Sequence, residues 1–317
     1  EFLLRRMRHK TDFPALSDAV LRIQRLASSE TARLTHLADE VLTDVALTSK
    51  LLRMVNSVHF ASAGSGQIQT VSRAVALVGF AGIRNMAMAV LLLEHMKDKG
   101  QADLLRQEFL RALTAGALAA ELEPLARDGE ETFLGSMLQN LGRLLAEFYF
   151  PEEAERIRSL LDGGLSAETA AQQVLGLSLD DLGVGVARAW GLPEGLQRAM
   201  RQPQGDAPPR RLTDRSERMR WLGHAANALA DTLMAQGSEA LDEALETVGG
   251  RYAVALGITP QAARQATHAA RDKVAALARA MGISVPRRGA ARRLMLADAR
   301  TLPTRPGATP ATAPGTL

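Results

Sequence analysis

Cysteine is missing from all 317 residues of this chain. No disulfide, thiol nucleophile or cysteine-ligated zinc site can therefore be built from it. Aromatic residues are scarce at 4%, and strand-type alternation of apolar and polar residues is nearly absent. Histidine numbers 6. No two histidines stand three or four residues apart, and none precedes an aspartate, so metal-ligand spacing is missing. There is no GxSxG nucleophile and no phosphate loop; Gly79 and Gly82 have neither the spacing nor the preceding strand. Long apolar runs are also lacking. The most apolar stretch, Ala74–Leu93, carries Arg84 and Asn85 in its middle and is interrupted by glycine. It reads as two buried helices, not a membrane span. The opening EFLLRRMRHKTD holds no apolar run of signal-peptide length, so the chain reads as cytoplasmic.

What is present is 46% hydrophobic and 23% charged residues, the balance of a soluble globular protein. Helix formers dominate. The net charge of +3 is unevenly placed. Residues 287–317 hold six Arg (Arg287, Arg288, Arg292, Arg293, Arg300, Arg305) against Asp298, a net +5, which leaves −2 for the rest. The basicity thus belongs to a tail, and a domain wrapped on nucleic acid is not indicated.

Helical periodicity runs through the chain, and an all-α fold is expected. Ser17, Thr35 and Asp44 are candidate caps of the first helices. The stripe Val45, Leu47, Thr48, Leu51, Leu52 and Val55 is core at helical spacing. The polar KDKGQAD run around Gly100 is the best internal boundary. Beyond it the pattern predicts helices near 104–121 and 132–148, then one starting at Pro151. Ser166 and Ser178 should cap the next two, and Pro193 should start another. Residues 202–210 read as an exposed loop. Further helices are expected over 214–235, 238–256 and 260–281. The segments are a connector over 1–12, an N-terminal five-helix bundle over 13–98, a second bundle over 101–235, added helices over 236–283, and a basic disordered tail over 284–317. The chain begins at Glu1, not Met, which suggests a further N-terminal part.

Three motifs in order carry a family resemblance: FPALSDAVLRI (Phe13–Ile23), DVALTSKLLRMVNSVHF (Asp44–Phe60) and VSRAVALVGFAGIRNM (Val71–Met86). They resemble the HDOD domain, the HD-related output domain of bacterial signalling proteins. GSMLQNLGRLLAEFYFPEE (Gly135–Glu153) and LGLSLDDLGVGVARAWGLPEGLQRAM (Leu175–Met200) continue the match. The resemblance implies two packed helical bundles, the second a degenerate HD-like one.

Members of the HD superfamily at large bind metals through His and Asp at these motifs. Here the His-Asp position holds Gln139 and Asn140. The later His positions hold Leu179 and Gln202, the late Asp position holds Asn227, and no His lies near Arg111–Thr114. Neutral amides are weak ligands for a divalent ion that must acidify water. The expectation is therefore no metal, no cofactor and no catalytic residue. Asn56, Ser57, Arg84 and Asn85 are candidates for a polar groove between the bundles, with helix-end structure as the competing reading of Asn56 and Ser57.

The resemblance implies a non-catalytic output or scaffold module. It would bind a protein partner, or be attached to a receiver, a cyclic-di-GMP domain or a serine/threonine kinase. The segment EFLLRRMRHK would then be a connector helix from that neighbour, or else a free arm. An unusual metal-dependent phosphohydrolase or cyclic-dinucleotide binder is the alternative. Nucleic-acid binding through the arginine tail is a third reading, weakened by the absence of interleaved aromatics.

Overall fold

The computed structural model describes residues 102–123, 129–189, 192, 194–235 and 240–280, together with Leu3 and Ala74. The candidates Asn56, Ser57, Arg84 and Asn85 and the arginine tail lie outside these described residues. Ten helices and no strand are found among them. They are α1 (Ala102–Leu122), α2 (Gly129–Leu138), α3 (Leu141–Tyr149), α4 (Pro151–Asp162), α5 (Ala167–Leu175), α6 (Leu179–Ala189), α7 (Glu194–Met200), α8 (Arg215–Ala235), α9 (Leu241–Leu256) and α10 (Pro260–Ala280). Among the described residues, no helix is long and apolar enough to cross a membrane.

Helix starts follow local chemistry. Ser166 accepts from the Thr169 amide at 3.2 Å, and Ser178 from the Asp181 amide at 3.0 Å. Asp214 accepts from Glu217 N at 2.7 Å, and Thr259 from Ala262 N at 3.0 Å. Each satisfies an amide that the helix itself cannot pair. Pro151 opens α4, where its missing N–H costs nothing. Gly257 ends α9 at φ +66°, a left-handed conformation that glycine adopts without a Cβ clash.

α1 and α8 form the centre. α1 is buried on all sides from Glu108 to Ala119, as expected of a helix surrounded by others. α2, α8 and α10 pack against it, and α9 closes over α8 and α10. One apolar cluster runs through these helices and takes in Leu3 and Ala74. α3 and α6 meet through glycine: a Cβ on Gly142 would lie 1.7 Å from the Leu179 carbonyl oxygen and 2.9 Å from Gly183 N. α4 and α5 form an outlying hairpin around Ile157, Ala170 and Ala171.

One helix expected over 132–148 is two. α2 stops at Leu138 and α3 starts at Leu141, with Gln139 and Asn140 in the turn between. The Asn140 amide donates to Met137 O at 3.2 Å, a tightened last turn, before Leu144 N resumes on Asn140 O at 3.0 Å. The break turns both side chains toward distant partners.

Candidate functional site

The turn at Gln139 and Asn140 delivers two amides to a buried polar cluster between α1, α2 and α8. α1 contributes Arg111 and α8 contributes Asn227 and Asp231. Arg111, Gln139, Asn140 and Asn227 are each at least nine-tenths buried.

The Arg111 guanidinium sits at the centre. Its Nε and Nη2 donate to the two oxygens of Asp231, at 2.5 and 2.7 Å. Its Nη1 donates to Asn140 Oδ1 and, at 3.5 Å, to Asn227 Oδ1. Such a bidentate fork is the strongest common geometry for a guanidinium and a carboxylate.

The amides around it are satisfied in one consistent direction. Asn140 Nδ2 donates to Asn227 Oδ1 at 2.7 Å. Asn227 Nδ2 donates to Gln139 Oε1 at 3.2 Å, to Ser136 O at 3.2 Å and to Gly223 O at 2.9 Å. Gln139 Nε2 donates to Ala199 O at 3.2 Å and to Arg220 O at 3.1 Å, tying in the end of α7. Asn140 and Asn227 thus turn their oxygens on the cation and their nitrogens away from it. Pairing of the guanidinium and the three amides is what lets these side chains be buried together.

Charge is balanced from two sides. Burial alone would lower the Arg111 pKa, but the Asp231 hydrogen bond and the charges of Asp231 and Glu108 outweigh it and raise the pKa above its ordinary value. Glu108, three residues earlier on α1 and 7% exposed, is held by Arg143 Nε at 2.8 Å.

The other two replaced positions lie apart. Leu179 is half-buried at the start of α6, where its carbonyl meets Gly142. Gln202 is exposed; its amide donates to Asp180 Oδ1 at 3.1 Å and its carbonyl accepts from Arg220 Nη2 at 3.4 Å. Burial raises the Asp180 pKa, against the opposing pull of that amide and of Arg201. Among the described residues, no direct hydrogen bond joins Leu179 or Gln202 to the Arg111 cluster.

Sequence reasoning named Gln139, Asn140 and Asn227, and the structure brings these three together. It missed Arg111 as a participant and Asp231 altogether. Asp231 follows Asn227 by four residues, the spacing of one helix face, and is an acid within the apolar run ANALADTLMA. That pattern is the signal that could have found it.

The cluster does not fit a divalent cation. The inward oxygens of Asn140 and Asn227 already accept from Arg111, and a fixed positive charge stands among them. Among the described residues, no group of three or more His, Cys, Asp or Glu side chains could hold a metal.

Known proteins resemble this chain in sequence or in fold. An uncharacterized protein of Treponema pallidum (strain Nichols) is 25% identical over 201 residues, 60% of this chain. The chain spans 37% of that relative's length. A solved candidate phosphohydrolase from Shewanella amazonensis SB2B superposes with a TM-score of 0.59 at 17% identity, over 86% of this chain and 99% of its own. An HDOD domain protein of unknown function from Geobacter sulfurreducens superposes with a TM-score of 0.54 at 19% identity, over 83% and 91%. At such identities the likeness shows the fold. The HDOD domain profile itself matches residues 13–205, more than half of the sequence, and the chain belongs to the HDOD domain family.

Proposed function

We propose that this chain is a non-catalytic output or scaffold module of a bacterial regulatory protein, acting through protein–protein contact as the C-terminal part of a longer polypeptide. The observation that carries this reading is the guanidinium of Arg111 at the centre of the polar cluster, among the amides Gln139, Asn140 and Asn227. Metal-assisted hydrolysis needs a cation with an open coordination position, held by deprotonated ligands. Here the charge is covalently fixed and its donors are engaged, so no water is acidified. The greater length of the Treponema relative supports a larger parent protein.

The test is turnover. Purified protein is assayed with bis-p-nitrophenyl phosphate and with cyclic di-GMP, in the presence of Mn²⁺, Mg²⁺ or Fe²⁺. No metal-dependent hydrolysis is expected. Hydrolysis that rises with added metal and vanishes with chelator overturns the reading in favour of a phosphohydrolase. The intact mass of the native polypeptide should exceed 34.0 kDa; a mass near that value makes the chain a free-standing adaptor.

A further inference from the structure

Among the described residues, the full positive charge in the Asn140–Asn227 cluster is supplied by the chain itself, and three segments converge on it. We infer that Arg111 is a built-in cation: its guanidinium joins α1 to the α2–α3 turn and to α8, the cross-link a bound metal ion would otherwise make, so that the fold holds without metal.

Three observations carry this. First, the groups facing Arg111 are arranged as a cation site. The two Asp231 oxygens and the Oδ1 atoms of Asn140 and Asn227 come from two other segments and all accept from the guanidinium. Second, those amide oxygens cannot turn away. Asn227 Nδ2 is committed to Ser136 O, Gln139 Oε1 and Gly223 O, and Asn140 Nδ2 to Asn227 Oδ1. Third, the cation is desolvated: the Arg111 side chain is 6% exposed. A charge so placed must remain paired, because an unpaired buried charge is strongly destabilising. The bonds span 29 residues to Asn140 and 120 to Asp231, so they bind parts of the chain that local structure leaves independent.

The experiment is thermal unfolding of the full chain, with excess EDTA and with excess Mn²⁺, for the native protein and for Arg111→Met, Asp231→Asn and the double variant. The native Tm should be the same under both conditions. Arg111→Met should lower Tm by roughly 5 °C, since it strands the buried Asn140 Oδ1 while the exposed Asp231 carboxylate returns to water. Asp231→Asn should lower it by more, since it leaves the buried cation short of acceptors. The double variant should lose less than the two single losses together, because the residues act as a pair. A native Tm that falls in EDTA, an Arg111→Met protein as stable as the native one, or strictly additive losses each overturn the inference. Should Arg111→Met fail to fold, Arg111→Lys replaces it in the same cycle. Lys keeps the charge without the fork and should fall between native and neutral; a Lys variant indifferent to Asp231→Asn overturns the inference equally. Turnover does not enter this test. An inactive protein with a metal-dependent Tm would sink the built-in cation and leave the output reading standing.

Discussion

Arg111 and Asp231 form an ion pair with one end inside and one end outside: the guanidinium side chain is 6% exposed and the carboxylate 54%. The desolvated partner is the one that cannot do without the other. Removing Asp231 leaves a buried cation with fewer acceptors, whereas removing Arg111 returns an exposed carboxylate to water. The amides must be considered with this pair, since they complete the ring of acceptors around the charge.

Asn227 is the most connected of those amides. Asn227→Leu keeps much of the volume and deletes every hydrogen bond of the side chain. It leaves Gln139 Oε1 without its donor, Asn140 Nδ2 with only its long bonds to Ser136 O and Met137 O, and Arg111 Nη1 with Asn140 Oδ1 alone. Buried groups stranded in this way cost about 1–3 kcal/mol each, with partial relaxation expected. A loss of roughly 3 kcal/mol is expected, read as a lower urea midpoint at unchanged m-value.

Two glycines on packed neighbouring helices should respond oppositely to alanine. Gly142→Ala places a Cβ 1.7 Å from the Leu179 carbonyl oxygen, a backbone atom that cannot step aside. α3 and α6 must separate, and a loss of about 3 kcal/mol or more is expected, as for severe overpacking. Gly185, on α6 itself, has nothing within 4 Å of an added Cβ. Gly185→Ala should stabilise by about 0.5–1 kcal/mol, the difference in helix propensity. Urea unfolding of the two variants side by side checks the contrast.

His224 supplies a pH dependence. It packs edge-on against Trp221 and Tyr252, with ring centroids 5.6 and 6.0 Å away. Burial lowers its pKa from 6.5, and the Asp231 charge offsets this in part. A lowered folded pKa means that the unfolded chain takes the proton first. The stability His224 contributes is therefore full above about pH 6.5 and is lost as pH falls through the folded pKa. Tyr252, the other ionisable group against the ring, has a raised pKa and stays neutral in this range. His224→Phe should flatten the decline in the urea midpoint between neutral and mildly acidic pH. An unchanged slope would show that another group is responsible.

Ser166 tests the reading of helix starts. Ser166→Ala removes the acceptor for Thr169 N on an exposed face. About 1 kcal/mol should be lost, and Ser166→Asp should restore most of it. Thermal unfolding of both variants measures this directly.

Elements that depend on nearby residues are legible in the sequence. Ser166, Ser178 and Asp214 mark helix starts because the amides they serve lie within a turn of them, and Pro151 does so because it lacks the N–H that a first turn leaves unpaired. The neutral amides at Gln139, Asn140 and Asn227 are equally legible, since they rest on residue identity alone. The break between α2 and α3 is not. The run from Thr132 to Phe148 keeps a helical pattern through the break, and the partners that fix Gln139 stand 60, 81 and 88 residues away.

The sequence by itself determined the helical class, the family motifs and the chemical neutrality of the replaced positions, because each is a property of residue type and short spacing. Only the tertiary structure decided what stands among them. Arg111 read alone is one of many arginines on a helix. It becomes the buried centre of the cluster because α1 and α8 pack side by side and bring Asp231 to it across 120 residues of chain. Such a pairing is a consequence of packing, and no local pattern encodes it.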